Sequence, residues 1–132
     1  MRFLLDTNIV SDLTRYPRGR VAGRIAKIGD RLVCTSIIVA AELRYGVAKK
    51  GSPRLSAQVE TVLSALDVIA LESPVDAVYG QLRARLEQAG RRMGANDLLI
   101  AAHACAVNAT VVTANVGEFA RIGRLNVENW LA

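Results

Sequence analysis

Three acidic residues stand where the ordinary structural reasons for an acid are weak: Asp6, Glu42 and Asp97. Asp6 directly follows the apolar run Phe3-Leu4-Leu5. A carboxylate at the end of a buried strand costs stability unless hydrogen bonds, a metal or a basic partner compensates it. Capping of the next helix is the competing role. Glu42, on a helix, has Ile38, Val39, Tyr45 and Gly46 as its neighbours one turn away. None is basic, so no local ion pair holds it, and Arg44 points elsewhere. The plain alternative is a Glu at a helix edge reaching solvent. Asp97 repeats the pattern at the head of Leu98-Leu99-Ile100-Ala101-Ala102, beside Met93 and Gly94. Here capping or a first-turn dipole interaction is the alternative.

Asn115 and Glu118 follow a fourth apolar run and supply further oxygen donors, although Arg121 is placed to pair with Glu118. Carboxylates gathered in one crevice repel one another unless divalent cations sit between them. Oxygen ligands without His or thiolate favour Mg²⁺, with Mn²⁺ as a substitute, over zinc. Such ions activate water and offset the charge that builds on a phosphodiester under attack. The single His103 faces well away from Asp97 at roughly 100° per residue and reads as structural or surface. Cys34 and Cys105 lie in apolar segments without zinc-ligand spacing and read as core thiols.

The acids converge only if the chain between them alternates strand and helix. Arg2–Leu5 reads as a buried strand, followed by a short helix from Asn8 to Thr14 capped by Thr7 or Asp6. A turn at Tyr16-Pro17-Arg18-Gly19 leads to a helix from Arg20 to Ile28, then a second strand from Arg31 to Thr35. Ser36 opens a helix from Ile37 to Lys49, broken at Gly51-Ser52-Pro53. Leu55 to Leu66 is amphipathic, Val68–Leu71 a third strand, and Ser73-Pro74 starts a helix through Ala89. A basic loop, Gly90 to Gly94, precedes a nearly all-apolar helix from Asn96-Asp97 to Val107. Ala109–Thr113 is the fourth strand and Val127 falls in a fifth. The expected fold is α/β: a three-layer α/β/α sandwich on a mostly parallel sheet, with its site at the strands' carboxyl ends.

The chain has 132 residues, enough for a single domain spanning 1–132. At 52% hydrophobic residues a substantial core can form, and 5% aromatics means Ala, Leu, Val and Ile must build it. No apolar run is long enough to span a membrane, and Met1-Arg2-Phe3-Leu4-Leu5 is cut off by Asp6 before any signal-peptide core develops. A soluble cytoplasmic protein is expected. The net charge of +5, with pI ≈ 9.8, comes mostly from Arg. That suits bidentate phosphate contacts and permits a nucleic-acid partner, although a GC-rich genome gives the same bias.

Leu4-Leu5-Asp6-Thr7-Asn8 resembles the opening of PIN-domain proteins. Ser36 through Ala41-Glu42-Leu43 and Gly46 is similar to their second motif, and Gly94-Ala95-Asn96-Asp97-Leu98-Leu99-Ile100-Ala101-Ala102-His103-Ala104 to their third. Thr113-Ala114-Asn115 with Glu118-Phe119, then Val127-Glu128-Asn129-Trp130, resembles the close of bacterial VapC toxins. The resemblance implies a PIN-like fold and Mg²⁺-dependent endoribonuclease activity on transfer or ribosomal RNA. It further implies inhibition by a VapB-type antitoxin and a homodimer. By carry-over Asp6, Glu42 and Asp97 ligate metal and carry catalysis. Thr7, Asn8 and Thr113 orient those acids or a bound water. Asn115 stands where many relatives have a further Asp, which leaves a second metal open, with Glu118 as a substitute. Arg15, Arg18, Arg20, Arg24, Lys27, Arg91 and Arg92 are candidate RNA contacts, or a solvated basic surface, or a seat for acidic antitoxin residues.

Two other classes compete. A haloacid-dehalogenase-like phosphotransferase with Asp6 as nucleophile wants an acid two residues on, where this chain has Asn8. A degenerate, non-catalytic binding module is hard to square with three intact acids.

Overall fold

The computed structural model describes residues 2–132; Met1 of the apolar opening lies outside them. Strand β1 (Arg2–Leu5) leads to α1 (Thr7–Arg15) and α2 (Arg20–Ile28). Strand β2 (Val33–Ser36) is followed by α3 (Ile37–Lys50) and α4 (Pro53–Ala65), and β3 (Asp67–Ile69) by α5 (Val75–Gln88) and α6 (Ala95–Ala106). Strand β4 (Ala109–Val112), a short α7 (Val116–Phe119) and β5 (Val127–Glu128) complete the chain.

The strands form one five-stranded sheet in the order β3-β2-β1-β4-β5, and every pairing is parallel. Parallel neighbours require crossovers, which are right-handed almost without exception. The first two crossovers step outward from β1 and the third steps back past it to β4. Helices α1–α4 and α5–α6 therefore cover opposite faces, which makes the three-layer α/β/α sandwich. Covered on both sides, the inner strands read as continuous apolar runs: Leu4, Leu5, Val111 and Val112 are fully buried. Helix α6 is equally enclosed, with Leu98, Ile100, Ala101, Ala102 and Ala104 in the core.

The chain turns one way after β1 and the other way into β4. This topological switch leaves a crevice outside the carboxyl ends of these two strands, where open parallel sheets bind ligands. Asp6 and Thr113, the residues that follow the two strands, sit at that point.

Helix ends follow local chemistry. Ser36 caps α3 by accepting the Ile38 N–H, and Gly51 ends it in the left-handed conformation (φ 64°) that a Cβ disfavours. Ser52 caps α4, with Pro53 in its first turn. Two strand expectations are corrected: β3 spans Asp67–Ile69 rather than Val68–Leu71, and β2 starts later than Arg31. Asp30–Leu32 is a 3₁₀ turn with Arg31 and Leu32 exposed, so β2 begins only at Val33. Helix α7, four residues long, is too short for apolar periodicity to reveal. Among the described residues no helix is long and apolar enough to cross a membrane.

Candidate metal centre

Asp6 is 3% exposed and every oxygen of its side chain is held. One oxygen accepts the Thr7 N–H at 2.8 Å and so caps α1. The other accepts the Thr113 hydroxyl at 2.7 Å and the Asn8 amide at 3.3 Å. Capping and a role in the crevice thus coexist in one side chain. Asn8 also accepts the Ala114 N–H at 2.9 Å, and Thr113 Oγ1 accepts the Asn115 N–H at 3.0 Å. The loop after β4 is thereby tied to Asp6 through both neighbours.

Glu42 lies one and a half turns along α3, half-buried, and its partners come from other elements. Thr7 Oγ1 donates to one oxygen at 2.5 Å and Asn96 Nδ2 to the other at 3.3 Å. No cation pairs with it; Arg44 turns away to a bidentate pair with Glu60, at 2.9 and 2.8 Å. Asp97 lies in the first turn of α6, whose N-terminus is brought to the same end of the sheet. Glu118 arrives from α7, accepting the Gly94 N–H at 3.2 Å and the Asn115 amide at 2.6 Å. Arg121 does not pair with Glu118; it donates to the Arg92 carbonyl at 2.5 Å.

The fold therefore brings Asp6, Glu42, Asp97 and Glu118 into mutual electrostatic reach. Burial pushes the Asp97 carboxyl up to about 7, and the charges of Asp6, Glu118 and Glu42 add to it. A hydrogen bond to Glu118 acts in the same direction, as when two carboxyls share a proton. Asp6 is also raised, first by burial and further by Glu42, against the opposing hydrogen bonds from Thr113, Thr7 and Asn8. The ion pairs among the described residues all lie elsewhere. Buried like charges without a cation are the electrostatic signature of a divalent-ion site, and an all-oxygen donor set fits Mg²⁺ or Mn²⁺. The acids are gathered but not closed: among the described residues no three side chains of the ligating types form a ready cage.

His103 is buried beneath the site, 1% exposed, so its surface alternative is excluded. Its Nδ1 lies 2.8 Å from Ser36 Oγ. Since that oxygen already accepts the Ile38 N–H, the hydroxyl proton is available for Nδ1. Nε2 makes no hydrogen bond of good geometry, although the Ala70 carbonyl is near enough to favour a ring proton. Burial dominates and lowers the ring's pKa, so the imidazole is neutral. His103 thus fastens α6, which bears Asp97, to the cap of α3, which bears Glu42. Cys34 is buried, with its thiol pushed up to about 11 chiefly by burial, and Cys105 is half-buried; neither forms a disulfide.

The basic candidates divide. Arg15, Arg18 and Arg20 line one cleft of about 630 Å³, together with Tyr16 and Leu131. Arg20 is committed to the Leu131 carbonyl, and Arg24 to Glu128 and the face of Trp130. Lys27 is exposed at the end of α2. Arg91 and Arg92 are exposed on the loop before α6, apart from that group. A second groove, also of about 630 Å³, starts at Thr7 and Glu42 and carries Arg15, Lys50 and Arg54. Lys50 and Arg54 were not legible as site residues, since nothing local marks the groove they line; Asn96, inside the third motif, gains a role only when folding sets it against Glu42.

The family model described as PIN domain matches residues 3–125. The Rickettsia felis protein called Ribonuclease VapC2 is 42% identical over 132 residues, covering 98% of both chains. The tRNA(fMet)-specific endonuclease VapC of Shigella flexneri is 34% identical over 131 residues, again 98% of both. The crystal structure of VapBC2 from Rickettsia felis bound to a promoter DNA fragment superposes with a TM-score of 0.88 at 40% identity, covering 98% of this chain and 99% of that one.

Proposed function

The chain belongs to the PIN-domain family, and from that premise we propose that it is a divalent-metal-dependent endoribonuclease, the toxin of a toxin–antitoxin pair. One observation carries the reading: four carboxylates from separate elements crowd one crevice, and Asp97 among them is driven to about 7. Asp6, Glu42 and Asp97 would hold Mg²⁺ or Mn²⁺, with Glu118 adding charge beside Asp97. The bound ion supplies water activation and neutralises charge building on the scissile phosphate.

The protein's own side chains do the positioning. Thr113 and Asn8 fix one oxygen of Asp6, and the helix cap fixes the other. Thr7 and Asn96 orient Glu42 from two sides, and Asn115 holds Glu118 by donating to it. In this arrangement Asn115 acts as a positioning residue, and Glu118 is the fourth acid. Asp97 holds a proton near neutrality in the metal-free protein and would release it on binding the ion.

Transfer RNA is the favoured substrate class, because one relative of similar length carries that specificity in its name. Pairing with a VapB-type antitoxin follows the complex that superposes on this chain. A homodimer, a single domain over 1–132 and a cytoplasmic location belong to the same reading. The deciding experiment incubates purified chain with total transfer RNA and Mg²⁺. Asp6→Asn should keep the fold by circular dichroism yet lose cleavage at least about a thousandfold, the scale of removing an essential charge at a reacting centre. EDTA should do the same to the wild type. Cleavage that survives both ends the proposal.

A further inference from the structure

The exposed turn after α1 is unlike the rest of the surface. Tyr16 is 54% exposed, and among the described residues its ring meets no other aromatic or cation. Arg15 and Arg18 flank it on the same cleft, where Asp12 is the one acid against three arginines, and neither is in an ion pair. The turn is held firmly. Tyr16 N–H bonds Asp12 O at 2.7 Å, and Gly19 N–H bonds Tyr16 O at 2.9 Å. A Cβ at residue 19 would stand 2.9 Å from the Tyr16 Cβ, so only glycine closes the turn this tightly. An exposed aromatic ring on a fixed backbone turn, beside two unpaired guanidinium groups, is a stacking platform with a backbone clamp.

Arg15 belongs to this cleft and also to the groove that begins at Thr7 and Glu42 and passes Lys50 and Arg54. Helix α1 connects the two places. Its nine residues span about 14 Å at 1.5 Å per residue, roughly four stacked nucleotides at ~3.4 Å each. Within the groove the cations face a single acid, Glu42, so an anionic strand is matched in charge from the crevice outward. We propose that single-stranded RNA runs from the acidic crevice along α1 and that a base some four nucleotides from the scissile bond stacks on Tyr16, with its phosphates held by Arg15 and Arg18. The inference rests on the ribonuclease reading and adds a second holding point, which extends recognition beyond the cut site.

The test measures binding of fluorescein-labelled single-stranded oligoadenylate by anisotropy, with Ca²⁺ replacing Mg²⁺ to suppress cleavage. Tyr16→Ala should weaken binding about tenfold, whereas Tyr16→Trp, which keeps a flat ring, should bind as the wild type does. Arg15→Gln combined with Arg18→Gln should reduce the log–log salt slope by about one to two. Equal affinity of Tyr16→Ala and wild type overturns the proposal. So does a Tyr16→Ala protein that keeps its RNA affinity but loses a co-purifying protein partner, which would make the turn a protein-docking site. A wild type that neither binds nor cleaves RNA fails the ribonuclease reading itself, and is distinguished by its indifference to all of these substitutions.

Discussion

Replacing Asp97 with Asn should stabilise the metal-free protein, although it removes an acid from the first turn of a helix. The folded-state pKa of Asp97 is raised from 3.8 to about 7, so the fold holds a proton that the unfolded chain releases. The sign follows. Below pH 3.8 both states are protonated and nothing is lost; stability then declines as pH rises and is lowest above pH 7. At 1.36 kcal/mol per pH unit the interval from 3.8 to about 7 sets a ceiling of about 4 kcal/mol. Asp97 is only half-buried and water reorganises around it, so about 1–2 kcal/mol is the realistic cost. The forfeited dipole interaction at the head of α6 offsets about 0.3–1 kcal/mol of the gain. For a domain of 132 residues the net corresponds to a rise in Tm of about 2–5 °C at pH 8 in EDTA. Thermal unfolding followed by circular dichroism should show that rise fading as the pH is lowered toward 4. Adding Mg²⁺ should then reverse the order, because the ion stabilises the wild type by mass action and the variant much less. A Tm that falls by the same amount at pH 8 and pH 5 would refute the reasoning, since it would mean that the Asp97 charge is compensated within the fold.

Other consequences follow from the same contacts. Because Asp97 keeps a proton up to about pH 7, apparent Mn²⁺ affinity measured by calorimetry should weaken about tenfold per pH unit below that point. Thr113→Val removes the hydroxyl that fixes Asp6 and accepts the Asn115 N–H; metal affinity should drop about 10–100-fold while urea unfolding shows a loss of about 1–2 kcal/mol. His103→Leu strips the Ser36 hydroxyl of its acceptor at a buried joint and should cost about 1–3 kcal/mol in urea, with Ser36→Ala in the same background adding less than it does alone.

Long apolar periodicities were the legible part of the fold. The helix expected from Arg20 to Ile28 is found with those bounds, and the one opened by Ser36 runs to Lys50. Each has its stop written in a glycine. The errors fall where tertiary packing decides. Arg31 and Leu32 look like the start of a strand, yet with Asp30 they fold into an exposed 3₁₀ turn, closed by the Leu32 N–H on the Gly29 carbonyl. The layer structure was readable from alternation, whereas the strand order, with β1 central, depends on which way each crossover steps, and no local signal records that.

The site was readable through absences: no base within a turn of Glu42, none near Asp97. Those gaps are real in space, since neither acid gains an ion pair after folding. The reverse inference, that a base one turn away implies a pair, misled at Arg121. Glu118 is already turned into the crevice by the Gly94 N–H and the Asn115 amide, and Arg121 satisfies itself on the Arg92 carbonyl instead. This bears on why residue 115 is an amide. A carboxylate there would add a fifth negative charge and would repel Glu118, whereas Asn115 donates to it at 2.6 Å. Asn115 therefore holds Glu118 in place where an acid would repel it. Asn115→Asp should raise Asp97 beyond its present value of about 7 in the metal-free protein and sharpen the dependence of thermal stability on divalent ion.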